Sequence, residues 1–190
     1  MIIFDLDDTI LSINSHFVFS NSLFEKRRLV ATIYRLLVWG IIGKTIGYLA
    51  KNDSRRVISF FLYRLYSEEQ LRSHSRTVFS TLDGITNKKV FELFEQLKHK
   101  DDVIVITATP DFIADQFSNL LGVPVFGSKF DGKKLTLDLL DNKYDYINKK
   151  FGKIRLIVSD STKDLECLSD SKIFVHRGEI FKDQRAQELF

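Results

Sequence analysis

The chain has 190 residues, 44% hydrophobic and 28% charged, with nine glycines and two prolines. This excludes a disordered or low-complexity protein and fits one ordinary domain, or one domain carrying an insertion. A single cysteine, Cys167, excludes an internal disulfide, no Cys/His cluster has zinc spacing, and a net charge of +3 is too mild to indicate nucleic acid as a partner.

The chain opens Met1-Ile2-Ile3-Phe4 and runs at once into Asp5-Leu6-Asp7-Asp8. That reads as a short buried strand ending in carboxylates. It lacks the basic, apolar and small-residue succession of a secretory signal, so the expected location is cytoplasmic. In Asp5-x-Asp7-x-Thr9, residues two apart in extended chain project to one side. Both carboxylates can therefore face a crevice beyond the strand's carboxyl end, where open α/β sheets bind ligands.

The next clear strand begins only at Val103, although one helix would suffice for the crossover. The intervening stretch, about 11–85, lacks period-2 alternation and reads as an inserted helical module. Within it, Leu29–Ala50 has a length close to that of a bilayer span, but Arg35 and Lys44 interrupt it and leave an uncharged core of only Leu36–Gly43. Gly40 and Gly43 offer a break, so a helical hairpin packed on its neighbours is expected, with insertion at a membrane surface or a true span as the alternatives. The stretch 11–85 carries eleven Lys/Arg and five Asp/Glu, a balance of +6 that leaves −3 elsewhere. A basic, apolar module beside an acidic core points to an anionic substrate or surface; solvated helix faces are the competing reading.

Val90, Phe91, Phe94 and Leu97 predict a helix over roughly 87–99. Val103–Ile106 predicts a buried strand that places Thr107 in the same crevice. Thr109 reads as a helix cap with Pro110 at the first helical position, and Phe112, Ile113, Phe117, Leu120 and Leu121 mark a helix closed by Gly122. Val123–Phe126 predicts another strand, and 128–135 a turn joining two antiparallel strands. A helix is expected from Lys143 to about Phe151, then strands at Ile154–Val158 and Lys172–Val175. Continuous apolar strands alternating with helices predict a doubly wound α/β fold around a parallel sheet.

Ile154–Val158 is followed by Ser159-Asp160-Ser161-Thr162-Lys163-Asp164. If this strand neighbours the first, four carboxylates meet, and their repulsion is tolerable mainly with a cation among them. Oxygen ligands suit Mg²⁺. A helix-start cap is the competing reading of Asp164. Lys143 is the chosen basic partner for a bound phosphate, with Lys149, Lys150, Lys133 and Lys134 as rivals that spacing does not separate. Cys167, between Leu165 and Leu168, reads as a core residue in a helix.

Asp5-x-Asp7-x-Thr9, strand-terminal Thr107, Lys143 and the Asp160…Asp164 pair, in that order, resemble the haloacid dehalogenase superfamily. The helical insertion after the first motif is similar to the cap of its phosphoserine phosphatase-like branch. Within that branch the apolar cap and the run Lys143…Ser159-Asp160-Ser161…His176-Arg177-Gly178-Glu179 resemble the bacterial phosphatidylglycerophosphatase C family. The resemblance implies a Rossmann-like core of 1–10 and 86–190, a cap of 11–85, and phosphomonoester hydrolysis. Asp5 would be the nucleophile and Asp7 the general acid–base. Mg²⁺ would be held by Asp5, the Asp7 carbonyl and Asp160, with Asp164 in support; Thr107 and Lys143 would bind the phosphoryl oxygens, and Thr9 would fix the loop locally. Ser159 departs from the usual glycine, and Asp8 stands where glycine is frequent.

In the cap, His16, Arg55 and Arg56 are candidate substrate contacts, with surface or packing roles as the competing reading. The expected substrate is a phosphorylated lipid headgroup, met by a cap resting against the inner face of the membrane, or a small soluble metabolite such as a sugar phosphate. A phospho-accepting receiver domain also gathers Asp, Thr and Lys around Mg²⁺, but its acid pair comes first and it lacks a long insertion. An inactive scaffold would not need every charged group retained.

Overall fold

The computed structural model describes residues 1–39, 45, 54–152 and 154–187. Among the described residues, seven strands form one sheet: β1 (Ile2–Phe4), β2 (Val103–Pro110), β3 (Val125–Phe130), β4 (Leu135–Leu137), β5 (Ile154–Ser159), β6 (Ser169–His176) and β7 (Glu179–Lys182). Their order is β4-β3-β2-β1-β5-β6-β7. The five central strands are parallel, and β4 and β7 pair antiparallel at the two edges. The chain winds outward from β1 to β2 and β3, then returns to place β5 on the other side of β1. The strand order thus reverses at β1, and the carboxyl ends of β1 and β5 flank the crevice this creates.

The central strands are apolar on both sides because both faces are covered. Ile2, Phe4, Val103, Val105, Leu156 and Val158 face one core, and Ile3, Ile104, Ile106, Ile154 and Ile157 face the other. The first core includes α5 (Lys88–Lys98) and α6 (Asp111–Leu121); the second includes Leu139 and Ile147 of α7 (Leu139–Phe151). A short helix, α8 (Gln184–Gln187), follows β7.

Between β1 and α5 the described chain is helical: α1 (Ser15–Glu25), α2 (Arg28–Trp39), α3 (Ser54–Tyr63) and α4 (Glu68–Val78). Phe19, Leu23, Phe24, Ile58, Tyr63 and Leu71 bury their side chains in the same core that Phe112 and Phe117 of α6 enter. Among the described residues no helix is long and apolar enough to cross a membrane. The break expected at Gly40 and Gly43, with the return arm of the hairpin, lies outside the described residues.

Several boundaries differ from expectation. Strand β2 continues to Pro110, so Pro110 precedes α6 rather than opening it. Helix α7 starts at Leu139, with the Asp138 side chain accepting from the Leu140 N–H, and so Lys143 lies one turn inside it. Cys167 is buried, but it follows a single tight turn (Asp164–Glu166) rather than sitting in a helix. β7 was not anticipated: its inward and outward residues alternate on an exposed edge, whereas the predicted strands were continuous apolar runs.

Candidate active site

The site is built from three strand ends. β1 delivers Asp5, whose backbone N–H still donates to Val158 of β5 at 2.9 Å. Beyond it, Leu6–Ile10 makes one wide turn closed by the Leu11 N–H donating to the Leu6 carbonyl at 2.9 Å. Asp7 is extended, and Asp8 takes the left-handed conformation at φ 56. Glycine adopts that conformation without cost, and aspartate tolerates it better than most residues. The turn is held from outside by Asn87, whose side-chain amide donates to the carbonyls of Thr9 at 2.8 Å and Leu11 at 3.0 Å. Asn87 was missed as a site residue: it precedes a helix, the ordinary place for a cap, yet makes no side-chain cap to α5.

Asp5 is buried against Lys143, whose Nζ donates to Asp5 Oδ1 at 2.7 Å and to Asp164 Oδ2 at 2.6 Å. Asp164 Oδ2 also accepts from the Ser159 hydroxyl at 2.8 Å, and that hydroxyl accepts from the Ser161 N–H at 3.1 Å. Serine in place of glycine here thus adds a donor to the acidic cluster. Burial pushes the Asp5 carboxyl upward; Lys143 opposes this, and the charges of Asp164 and Asp160 reinforce it. Burial works against the Lys143 charge, but the carboxylates of Asp5 and Asp164 outweigh it and hold the ammonium above its usual range.

Asp7 points to a different set of donors. Its Oδ1 accepts from the Ser15 N–H at 2.7 Å, at the start of α1, and its Oδ2 from Thr109 Oγ1 at 2.6 Å and Thr107 Oγ1 at 3.3 Å. The Ser15 and Thr109 hydroxyls are 3.1 Å apart. Thr109 is therefore not a helix cap; its hydroxyl belongs to the Asp7 network, because β2 runs past it. Thr9 also differs from expectation. Rather than bonding locally, its hydroxyl accepts from the Asp160 N–H at 2.9 Å and donates to Asp160 Oδ1 at 3.2 Å, joining the β1 and β5 ends.

The three cap candidates sit on α1 and α3. His16 is buried in α1 with its ring 5.2 Å from Phe60 and 5.8 Å from Tyr63. Arg55 lays its guanidinium over Phe17 at 4.1 Å. Arg56 is buried and donates to Asp138 Oδ1 at 2.6 Å, tying α3 to the start of α7.

Whether these residues suit a divalent cation turns on charge and donor type. Among the described residues no three His, Cys, Asp or Glu side chains are grouped as a metal site. A site of two carboxylates, Asp5 and Asp160, with the Asp7 carbonyl and water does not need a third. The charge balance also fits: burial, with the charges of Asp164 and Asp160 adding to it, raises the pKa of Asp5, and burial, Asp160 and Asp7 raise that of Asp8, while Lys143 is the one cation bonded into the cluster among the described residues. A hard cation with oxygen ligands suits this excess of negative charge. Asp164, by contrast, already spends one oxygen on Lys143 and Ser159.

The model of the haloacid dehalogenase-like hydrolase family matches residues 2–169. Among solved structures, the chain is similar to a protein of unknown function from Bordetella pertussis Tohama I, with TM-score 0.63 and 15% identity, covering 87% of this chain and 83% of that one. It is also similar to a phosphoserine phosphohydrolase-like protein from Francisella tularensis subsp. tularensis SCHU S4, with TM-score 0.57 and 14% identity, covering 91% of this chain and 85% of that one. At these identities the structural likeness is one of fold. No curated protein matches the sequence significantly.

Proposed function

The chain belongs to the haloacid dehalogenase-like hydrolases, and on that premise we propose that it hydrolyses phosphomonoesters through a phosphoryl group carried on Asp5. The observation that carries this reading is the pairing of two carboxylates in unlike surroundings: Asp5 against Lys143 at 2.7 Å, and Asp7 held by Ser15, Thr107 and Thr109. Asp5 attacks phosphorus and the ester oxygen leaves, taking a proton from Asp7. Water then attacks phosphorus as Asp7 accepts its proton, inorganic phosphate departs, and the Asp5 carboxylate is restored. Lys143 and Thr107 donate to the phosphoryl oxygens, exchanging bonds they make to Asp5 and Asp7 at rest. Asp5, the Asp7 carbonyl and Asp160 would hold Mg²⁺, which when bound would neutralise charge on the phosphoryl group.

For substrate, we favour a phosphorylated lipid headgroup over a small soluble ester such as a sugar phosphate. The support is α2, where Leu29, Ile33 and Leu36 are exposed at helical spacing, Leu29 at 74% and Leu36 at 68%, with Arg28 and Arg35 in the same helix. Such a face suits peripheral contact with an anionic membrane at its inner side. The similar phosphoserine phosphohydrolase-like protein from Francisella supports phosphomonoester chemistry in this fold.

The test is release of inorganic phosphate from an aryl phosphate with and without Mg²⁺, wild type against Asp5→Asn. Mg²⁺-dependent turnover lost in the variant is expected; equal turnover by both overturns the nucleophile. Co-sedimentation with vesicles of anionic phospholipid, lost in Leu29→Glu/Leu36→Glu, is expected for the lipid reading. A protein that stays in the supernatant contradicts it.

A further inference from the structure

A second concave site lies between α3 and the β3–β4 hairpin, about 360 Å³ in volume. Its wall is apolar: Phe60 and Phe61 come from α3, and Phe130 and Leu135 from the hairpin. The Phe60 and Phe130 rings meet at 5.7 Å, whereas Phe61 is 60% exposed, with the Arg64 guanidinium 5.6 Å from its ring. Three cations, Arg64, Lys133 and Lys134, line the rim. Arg56 and Asp138, which also line it, are spent on each other at 2.6 Å. Asp131 accepts from the Lys133 and Lys134 N–H groups at 2.9 and 2.8 Å, which shapes the turn that presents both lysines, and it is not part of the lining. None of Asp5, Asp7, Lys143 or Asp160 lines this groove.

An apolar floor with a rim that stays net positive, three cations against the Asp131 carboxylate beside Lys133 and Lys134, selects a ligand with both an apolar body and an anionic end. Water alone gains little from covering an exposed phenylalanine, and a small anion gains little from three solvated cations. A volume of this order holds a small organic ligand rather than an ion. We propose that the groove binds a single-chain anionic amphiphile, of the fatty-acid or lysolipid class, with its chain against Phe60, Phe61, Phe130 and Leu135 and its acid group at Lys133, Lys134 and Arg64. This goes beyond the catalytic reading and does not depend on it.

The test is calorimetric titration with dodecanoate below its micellar concentration, a ligand with no phosphoryl group for the catalytic crevice. Acetate and dodecyl maltoside serve as the head alone and an uncharged amphiphile with the same alkyl chain. Saturable one-site binding of dodecanoate is expected, with neither control binding comparably. Lys133→Glu/Lys134→Glu and Phe61→Ser, both at exposed positions, should each weaken it at least about tenfold while turnover of an aryl phosphate is unchanged. The proposal is overturned by wild-type affinity in both variants, by equal binding of dodecyl maltoside, by absence of saturable binding, or by binding to anionic vesicles with none to monomeric dodecanoate. Loss of aryl phosphate turnover in Asp5→Asn, tested separately, leaves this result unaffected.

Discussion

The hydroxyl of Thr9 accepts from the Asp160 N–H at 2.9 Å and donates to Asp160 Oδ1 at 3.2 Å, so one side chain joins two strand ends 151 residues apart. It fixes both the backbone and the carboxylate of Asp160. Thr9→Val keeps the shape and removes the hydroxyl. Outer-shell partners of this kind are worth about 10–100-fold in metal affinity. The Mg²⁺ concentration for half-maximal turnover should therefore rise by about tenfold or more, with Thr9→Ser restoring it. An unchanged Mg²⁺ dependence in Thr9→Val would show that the clamp does not serve the metal.

Arg56 should act on stability. Its ion pair with Asp138 is nearly closed to solvent on the arginine side, at 8% side-chain exposure, and more open at Asp138, at 26%. Breaking a buried pair from one side costs about 3–5 kcal/mol, and the access of water to Asp138 brings the expectation for Arg56→Met to about 2–3 kcal/mol. Because Asp138 also accepts from the Leu140 N–H at 2.9 Å, the start of α7 should loosen too. Urea unfolding of Arg56→Met, Asp138→Asn and the double variant measures this, with strong non-additivity expected. Additive losses would contradict a direct coupling.

Gly127 is required by packing. A Cβ there would sit 2.6 Å from the Thr109 carbonyl oxygen and 2.8 Å from Ala114 Cβ. Gly127→Ala should destabilise by about 1–3 kcal/mol. It should also lower kcat more than it raises KM, because Thr109 is displaced from Asp7. A variant with wild-type unfolding midpoint and kcat would contradict this.

His74 gives a pH dependence. It is buried in α4 with its ring 5.2 Å from Phe19 in an edge arrangement, and neither ring nitrogen has a hydrogen-bond partner among the described residues. Burial, with Lys26 adding to it, lowers its pKa from 6.5 to about 4. Between those values the unfolded chain binds the proton and the folded chain does not. The stability held through His74 is therefore complete above pH 6.5 and is lost as pH falls toward 4. In His74→Phe the fall in unfolding free energy over this window should be shallower. At pH 7 the variant should gain about 1 kcal/mol from removing unpartnered buried nitrogens. Parallel pH profiles would contradict the shift.

Much of this site is legible in the sequence because its residues end continuous apolar runs. Ile2–Phe4, Val103–Ile106 and Ile154–Val158 are strands buried on both faces, and a polar residue ending such a run must lie at the sheet's rim. What was not legible depends on pairing across the chain. Thr109 precedes a proline and resembles a cap; only its contact with Asp7, 102 positions away, reveals its task. Thr9 and Asn87 bond to groups that no local pattern brings near. The serine at 159 is explained only when one Asp164 oxygen is seen to accept from both its hydroxyl and Lys143. Arg56 reads in the sequence as a candidate substrate contact or a surface or packing residue, and its partner Asp138 lies 82 positions on.

The central claim is that phosphorus is transferred to Asp5, and intact-protein and peptide mass spectrometry after acid quench during turnover tests it most directly. The expected result is one phosphoryl group on the peptide containing Asp5, absent in Asp5→Asn. A phosphoryl group on another residue, or full turnover with none captured on wild-type protein at any quench time, would contradict it.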